Sequence, residues 1–132
     1  MSKALVVYSD NSGLWWLRFL RPGFRHCFII LETDRGHVWV DPMSHHLTIK
    51  VLEGYELTGL ISWYHEMGMR VQSVEIAQER AQAFPWAPMS CVEVVKRLLG
   101  IRDCFVQTPW QLYQYIKRTK SENIGNKVLT FV

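Results

Sequence analysis

The order of apolar and polar positions divides the chain into short strands and amphipathic helices. Residues 3–8, KALVVY, are apolar and partly β-branched, and the SDNSG cluster behind them is a turn signal, so a strand is predicted there. LWWLRFLRPG (14–23) has room for about two turns of amphipathic helix, closed by Pro22-Gly23. Two strand-like runs follow, His26–Glu32 and His37–Asp41, joined by the turn residues Thr33-Asp34-Arg35-Gly36. They read as a hairpin. With Thr33 and Gly36 flanking the turn, partner numbers sum to about 69, because antiparallel partners run in opposite directions. Side chains alternate along a strand, so His26, Phe28 and Ile30 share a face with Trp39 and Asp41. His26 and Asp41 become diagonal neighbours on that face.

A third strand, His46–Leu52, follows the bend at Pro42-Met43-Ser44. Glu56–Gly68 is expected to be helical, with an interruption at Gly59, and Met69–Ala77 alternates as another strand. AQAFPWAPM (81–89) reads as a loop. It leads into PMSCVEVVKRLLG, where Ser90 and Glu93 stand in the spacing of a capping box. Val92, Val95, Leu98 and Leu99 make an apolar stripe, and Gly100 ends the helix. Thr108-Pro109-Trp110-Gln111 forms a second capping box, with proline at the first helical position, before the helix WQLYQYIKR (110–118). SENIGN (121–126) reads as a turn and KVLTFV (127–132) as a closing strand. The expectation is a single α+β domain over residues 1–132, an antiparallel sheet packed against a few helices.

Composition agrees with a folded globular chain: 48% hydrophobic, 20% charged and 13% aromatic, including six Trp. The net charge of +3 is spread along the chain, which gives no concentrated nucleic-acid footprint. No apolar run approaches the about 20 residues that span a bilayer. No signal peptide is visible at the start, MSKALVVYSDNSG, and a cytoplasmic location is expected. Cys27, Cys91 and Cys104 are odd in number and lack C-x-x-C spacing, which argues against a disulfide framework and a structural zinc site. Nothing in the chain calls for a metal or an organic cofactor.

The candidate chemistry centres on Cys91. It stands at the first helical position, where free N–H groups and the macrodipole favour an anion, and thiolate is the reactive form of cysteine. A thiol nucleophile needs an imidazole to take its proton and a third polar group to orient that imidazole. His26, opening a strand after Pro22-Gly23-Phe24-Arg25, is the candidate base, and Asp41 the candidate orienter. Local pattern leaves bland readings open: a packed Cys91, an ordinary strand histidine, and a turn-starting Asp41 before Pro42. His45 is a substitute orienter and Cys104 a rival thiol without a helix start. Cys27 should point away from His26 and pack, while His37 should be solvated beside the hairpin turn.

A His opening a strand (RHCFIIL), an acidic residue closing the next (VWVDP) and a late Cys opening a helix (SCVEVVKRLLGI) resemble the circularly permuted papain-like fold. This is the permuted branch of the NlpC/P60 superfamily, which also contains lecithin:retinol acyltransferase-like proteins. TPWQLY resembles the segment that follows the Cys helix in small bacterial members, and the resemblance covers roughly residues 24 to 116. It implies a thiol hydrolase, a cysteine peptidase or amidase, working through an acyl-enzyme on a peptide, amide or ester. Cys91 would be the nucleophile, His26 the base and Asp41 the orienter, a position that is often His or Glu in that superfamily. A phage-encoded or cytosolic small member fits the missing signal peptide. Two other expectations stand beside it: an acyltransferase of the same fold, or a non-catalytic binding or assembly module. The second is motivated by the basic side chains and by Trp15, Trp16 and Trp86.

Overall fold

The computed structural model describes residues 2–10, 21–42, 46–76 and 90–125. Within them five strands pair into one antiparallel sheet: β1 (Ser2–Ser9), β2 (His26–Thr33), β3 (Gly36–Pro42), β4 (Leu47–Leu52) and β5 (Arg70–Ile76). The order across the sheet is β4-β3-β2-β1-β5, so the first four strands form a meander and β5 returns to pair with β1. β1 lies between two strands and is apolar on both faces, as KALVVY requires when each face carries a layer of helix.

One face packs against α1 (Leu57–Glu66), burying Leu5, Val7, Phe28 and Ile30 with Leu60 and Tyr64. Helix α1 runs through Gly59 without the expected interruption; a Cβ there would meet nothing, so that glycine is not forced by space. The other face packs against α2 (Cys91–Leu99) and α3 (Pro109–Gly125). Ala4, Val6, Tyr8, Cys27 and Ile29 are buried there against Val92, Val95, Leu99, Leu112 and Ile116. Tyr8 donates its hydroxyl to Gln72 Oε1 at 2.7 Å, and Gln72 donates to the Tyr113 carbonyl at 3.0 Å, which pins α3 to β5.

The hairpin register follows the expected sum: Ile29 pairs with Val40 and Thr33 with Gly36. The β2–β3 ladder runs only as far as Ile29–Val40, whereas β1 stays paired down to His26. Pro42 lies just beyond the end of that ladder and has no N–H to give it. β4 is an edge strand whose Leu47, Ile49 and Val51 are exposed.

Two further readings are corrected. Residues 121–125 of the expected turn continue α3, which is 17 residues long. His37 is buried, not solvated, because odd-numbered β3 residues face the α1 layer. The LWWLRFL segment at positions up to 20, the 81–89 loop, His45 and the closing KVLTFV lie outside the described residues.

Candidate functional site

The site is built where α2 begins. Ser90 has extended backbone, and its hydroxyl accepts from the Glu93 N–H at 3.1 Å. Such a cap contributes about 1 kcal/mol to a helix. The Glu93 carboxylate does not complete the box. It takes Lys96 Nζ at 3.4 Å and Arg97 Nε at 3.2 Å instead, so the acid two residues from Cys91 is neutralised by two cations. The Ser90 carbonyl takes the Val94 N–H. Gly100 closes the helix in the left-handed conformation, φ +75°, which is open to glycine and costly for other residues. With both ends fixed, Cys91 is held at the first turn, partly exposed, above the start of β2.

His26 sits at that strand start with 7% of its surface exposed. Its Nε2 meets Asp41 Oδ1 at 2.5 Å, a short charge-assisted contact across the diagonal of the hairpin. The other ring nitrogen, Nδ1, is therefore the one left to face the thiol. Burial would lower the His26 pKa. The hydrogen bond to Asp41, then the hydrogen bond and charge of Cys91, outweigh it and raise the pKa from 6.5 to about 9. Cys91 moves the opposite way, from 9.0 to about 5. The Cys27 thiol hydrogen bond is the largest cause; burial opposes it, and the His26 hydrogen bond and charge and the Cys27 N–H reinforce it. The two shifts are opposite in direction and both favour a thiolate–imidazolium pair at neutral pH.

Cys27 was expected to turn away from His26 and pack, and it is fully buried on the opposite face of β2. Its contact with the Cys91 sulfur was not anticipated. Alternation along β2 sends His26 and Cys27 to opposite faces, but the sulfur at the strand's free end is within reach of both. Burial and the neighbouring thiolate push the Cys27 pKa up, so Cys27 stays a neutral donor. Cys104 is exposed in the connection between α2 and α3, away from this cluster.

Beyond His26 the same face carries a row of aromatic rings. Phe28 lies 6.4 Å from His26, 6.0 Å from Trp39 and 5.5 Å from Tyr64 between ring centroids. Trp39 and Tyr64 wall a cleft of about 650 Å³ with Lys50, Tyr55, Leu60 and Trp63. Burial, and then the charge of Asp41, raise the Tyr64 pKa, which places the phenol near the carboxylate. Trp39 Nε1–H is closed to solvent and lacks an acceptor among the described residues. Its wall comes from β3, β4 and α1 together, so no single stretch of the sequence marks which aromatics line it.

Arg21 and Arg25 are engaged within the fold: Arg21 lies 3.6 Å above the Trp110 ring and Arg25 pairs with Asp10 at 3.7 Å. Among the described residues no three His, Cys, Asp or Glu side chains converge as a metal site would need. No described helix is long and apolar enough to cross a membrane.

Asp41→Asn keeps the shape of the orienter and removes its charge. The His26 titration, followed by NMR of the ring C–H, is expected to move down from about 9 toward 6.5. A titration left near 9 would mean that Asp41 does not hold the imidazolium.

No protein-family model, curated protein or solved structure matches this chain.

Proposed function

We propose that this chain is a thiol hydrolase, a cysteine peptidase or amidase on a circularly permuted papain-like scaffold. The observation that carries the reading is one imidazole held between the Asp41 carboxylate and the Cys91 thiolate, with each member on a different element. Chain order and the His and Cys residue types follow the resemblance drawn from RHCFIIL, VWVDP and SCVEVVKRLLGI, with Asp41 where that superfamily often has His or Glu.

The chemistry follows from that geometry. The Cys91 thiolate attacks the substrate carbonyl, and the electron pair moves onto oxygen. The first-turn N–H groups of Cys91 and Val92 are free of partners among the described residues and suit that oxyanion, as a helix N-terminus does. The His26 imidazolium gives its Nδ1 proton to the leaving nitrogen or oxygen, and the carbon–heteroatom bond breaks to leave a thioester. Neutral His26 then takes a proton from water, which attacks the thioester and restores the thiolate. Asp41 fixes the tautomer throughout.

The aromatic cleft begins one ring beyond the base and takes the acyl side of the substrate, a peptide or acyl group with a large apolar side chain. Its walls are mostly apolar and aromatic, with Lys50, lying over the Trp39 ring, and Glu56 as its charged members. The acyltransferase reading shares every step but the last, where an amine or alcohol replaces water. A Cys91 beyond the reach of His26 or with a raised pKa would favour the binding module; its lowered pKa, with His26 among the causes, supports the hydrolase reading.

The test is an intact-mass search for an acyl adduct with activated esters and amides of phenylalanine, leucine and glycine. An adduct on Cys91 that forms faster with the large side chains and is absent from Cys91→Ala is expected. A panel that leaves no adduct and no turnover in the wild type removes the hydrolase reading.

A further inference from the structure

We propose that β4 is the seam of a two-fold dimer, in which the edge strands of two copies of this chain pair antiparallel and join their sheets. β4 stands at the edge of the sheet, with β3 as its one neighbour among the described residues. Its outer row of backbone N–H and C=O groups has no ladder partner among those residues. Such an edge is a template for a further strand unless charge, proline or a bulge blunts it. The strand Leu47–Leu52 contains a single charged side chain, Lys50, and no proline. Its register against β3 runs unbroken from Leu47 to Leu52, so no bulge turns it aside.

The side chains indicate which strand is added. Alternation puts Leu47, Ile49 and Val51 on the face that carries α2 and α3, level with Pro42, Val40 and Val38 of β3. Val38 and Val40 belong to the core on that face, so the three residues extend an apolar layer outward to the edge. There they are 54%, 59% and 62% exposed, more open than covered. Thr48, Lys50 and Leu52 take the other face. Residues 47–51 therefore read apolar, polar, apolar, polar, apolar, the same in both directions about Ile49.

That symmetry favours a second copy over an unrelated strand, because a two-fold interface needs a patch that complements itself. With the axis normal to the sheet at Ile49, Ile49 lies opposite Ile49 of the second copy, Leu47 opposite Val51, and Lys50 opposite Thr48. Directly opposite side chains share a face and pack together. An axis at Lys50 would set two ammonium groups against each other, and an axis at Val51 would set Ile49 against Glu53. A normal two-fold keeps each face on its own side, so the two aromatic clefts, which Lys50 and Leu52 help to line, open on the same side of the joined sheet. The seam is six residues long, so assembly should depend on concentration. None of this rests on the chemistry of Cys91.

The experiment is sedimentation velocity on the full chain from low micromolar to near-millimolar protein, under reducing conditions so that the exposed Cys104 cannot link copies. The mass is expected to rise from 15.5 kDa toward twice that value, while hydrogen exchange slows with concentration in the peptide that carries β4. Ile49→Lys and Ile49→Glu change an exposed side chain, and each should stay monomeric with wild-type circular dichroism. Their equimolar mixture should dimerise again, because position 49 meets itself on the axis and the mixture brings opposite charges together there. A wild type that stays at 15.5 kDa throughout overturns the proposal. So does a dimer that survives in both variants, which would place the contact elsewhere, such as at the exposed Phe105. A mixture that remains monomeric overturns the pairing of Ile49 with itself, and the two-fold seam with it.

Discussion

His26→Ala is expected to carry the midpoint of Cys91 alkylation, read against pH with iodoacetamide and peptide mass spectrometry, well above about 5. It should stop short of the ordinary 9.0, because the Cys27 thiol and N–H still face the sulfur in the variant. Turnover of any substrate that acylates Cys91 is expected to fall by about 10²–10⁴, the usual contribution of a positioned acid–base group. The midpoint is the quantity to read, not the rate at a single pH. Below the midpoint each unit of upward shift removes about tenfold of thiolate but returns about threefold in intrinsic nucleophilicity. A rate measured at one pH would understate the loss and could reverse its sign on the alkaline plateau. An unchanged midpoint would separate the imidazole from the thiol and leave Cys91 as a packed helix-start residue.

The same pair gives folding stability a defined pH profile. Cys91 has a folded pKa of about 5, below its unfolded 9.0, so its contribution is complete above 9 and is lost as pH falls through 5. His26 has a folded pKa of about 9, above its unfolded 6.5, so its contribution is complete below 6.5 and is lost as pH rises through 9. Between 6.5 and 9 the folded pair holds one proton, on His26, and the unfolded pair also holds one, on Cys91. The two slopes cancel there. Between 6.5 and 5 the unfolded histidine takes up a proton with no counterpart in the folded pair, and stability falls by about 2 kcal/mol. Urea titrations of wild type and Cys91→Ala at pH 5 and pH 6.5 isolate this term, since other titrating groups contribute to both proteins. A wild-type stability that falls no further than that of the variant would show that the folded thiol is not ionised.

Local chemistry made much of the sheet legible. The Thr33–Gly36 turn fixed the hairpin register, and with it the diagonal approach of His26 and Asp41. Ser90 and Gly100 bounded α2 and so set the height of Cys91. What escaped the sequence depends on contacts between distant segments. Strand alternation separates Cys27 from His26, and only α2 settling over the end of β2 brings one sulfur within reach of both. His37 looked solvated beside a polar turn, but the face it shares with Trp39 and Asp41 lies under the α1 layer. SENIGN carries the residues of a turn, yet α3 extends through Gly125, where helical propagation from Thr108-Pro109 prevails over a weak local preference. Glu93 stood in capping-box position but found Lys96 and Arg97 on its own helix, a stronger pairing than a return to the cap N–H.

The strand order also sets the sequence of events during synthesis. β1 to β4 form a meander whose neighbours are close in the chain, and can close as successive hairpins while the C-terminal half is still being made. β5 and α2 come later and return to segments more than sixty residues behind them. His26 and Asp41 thus meet early, as an ordinary surface pair, while Cys91 has neither partner until α2 docks. Until then the thiol is an ordinary, weakly acidic one, and its reactivity is switched on when α2 settles over the start of β2. A chain arrested before that step would be chemically quiet.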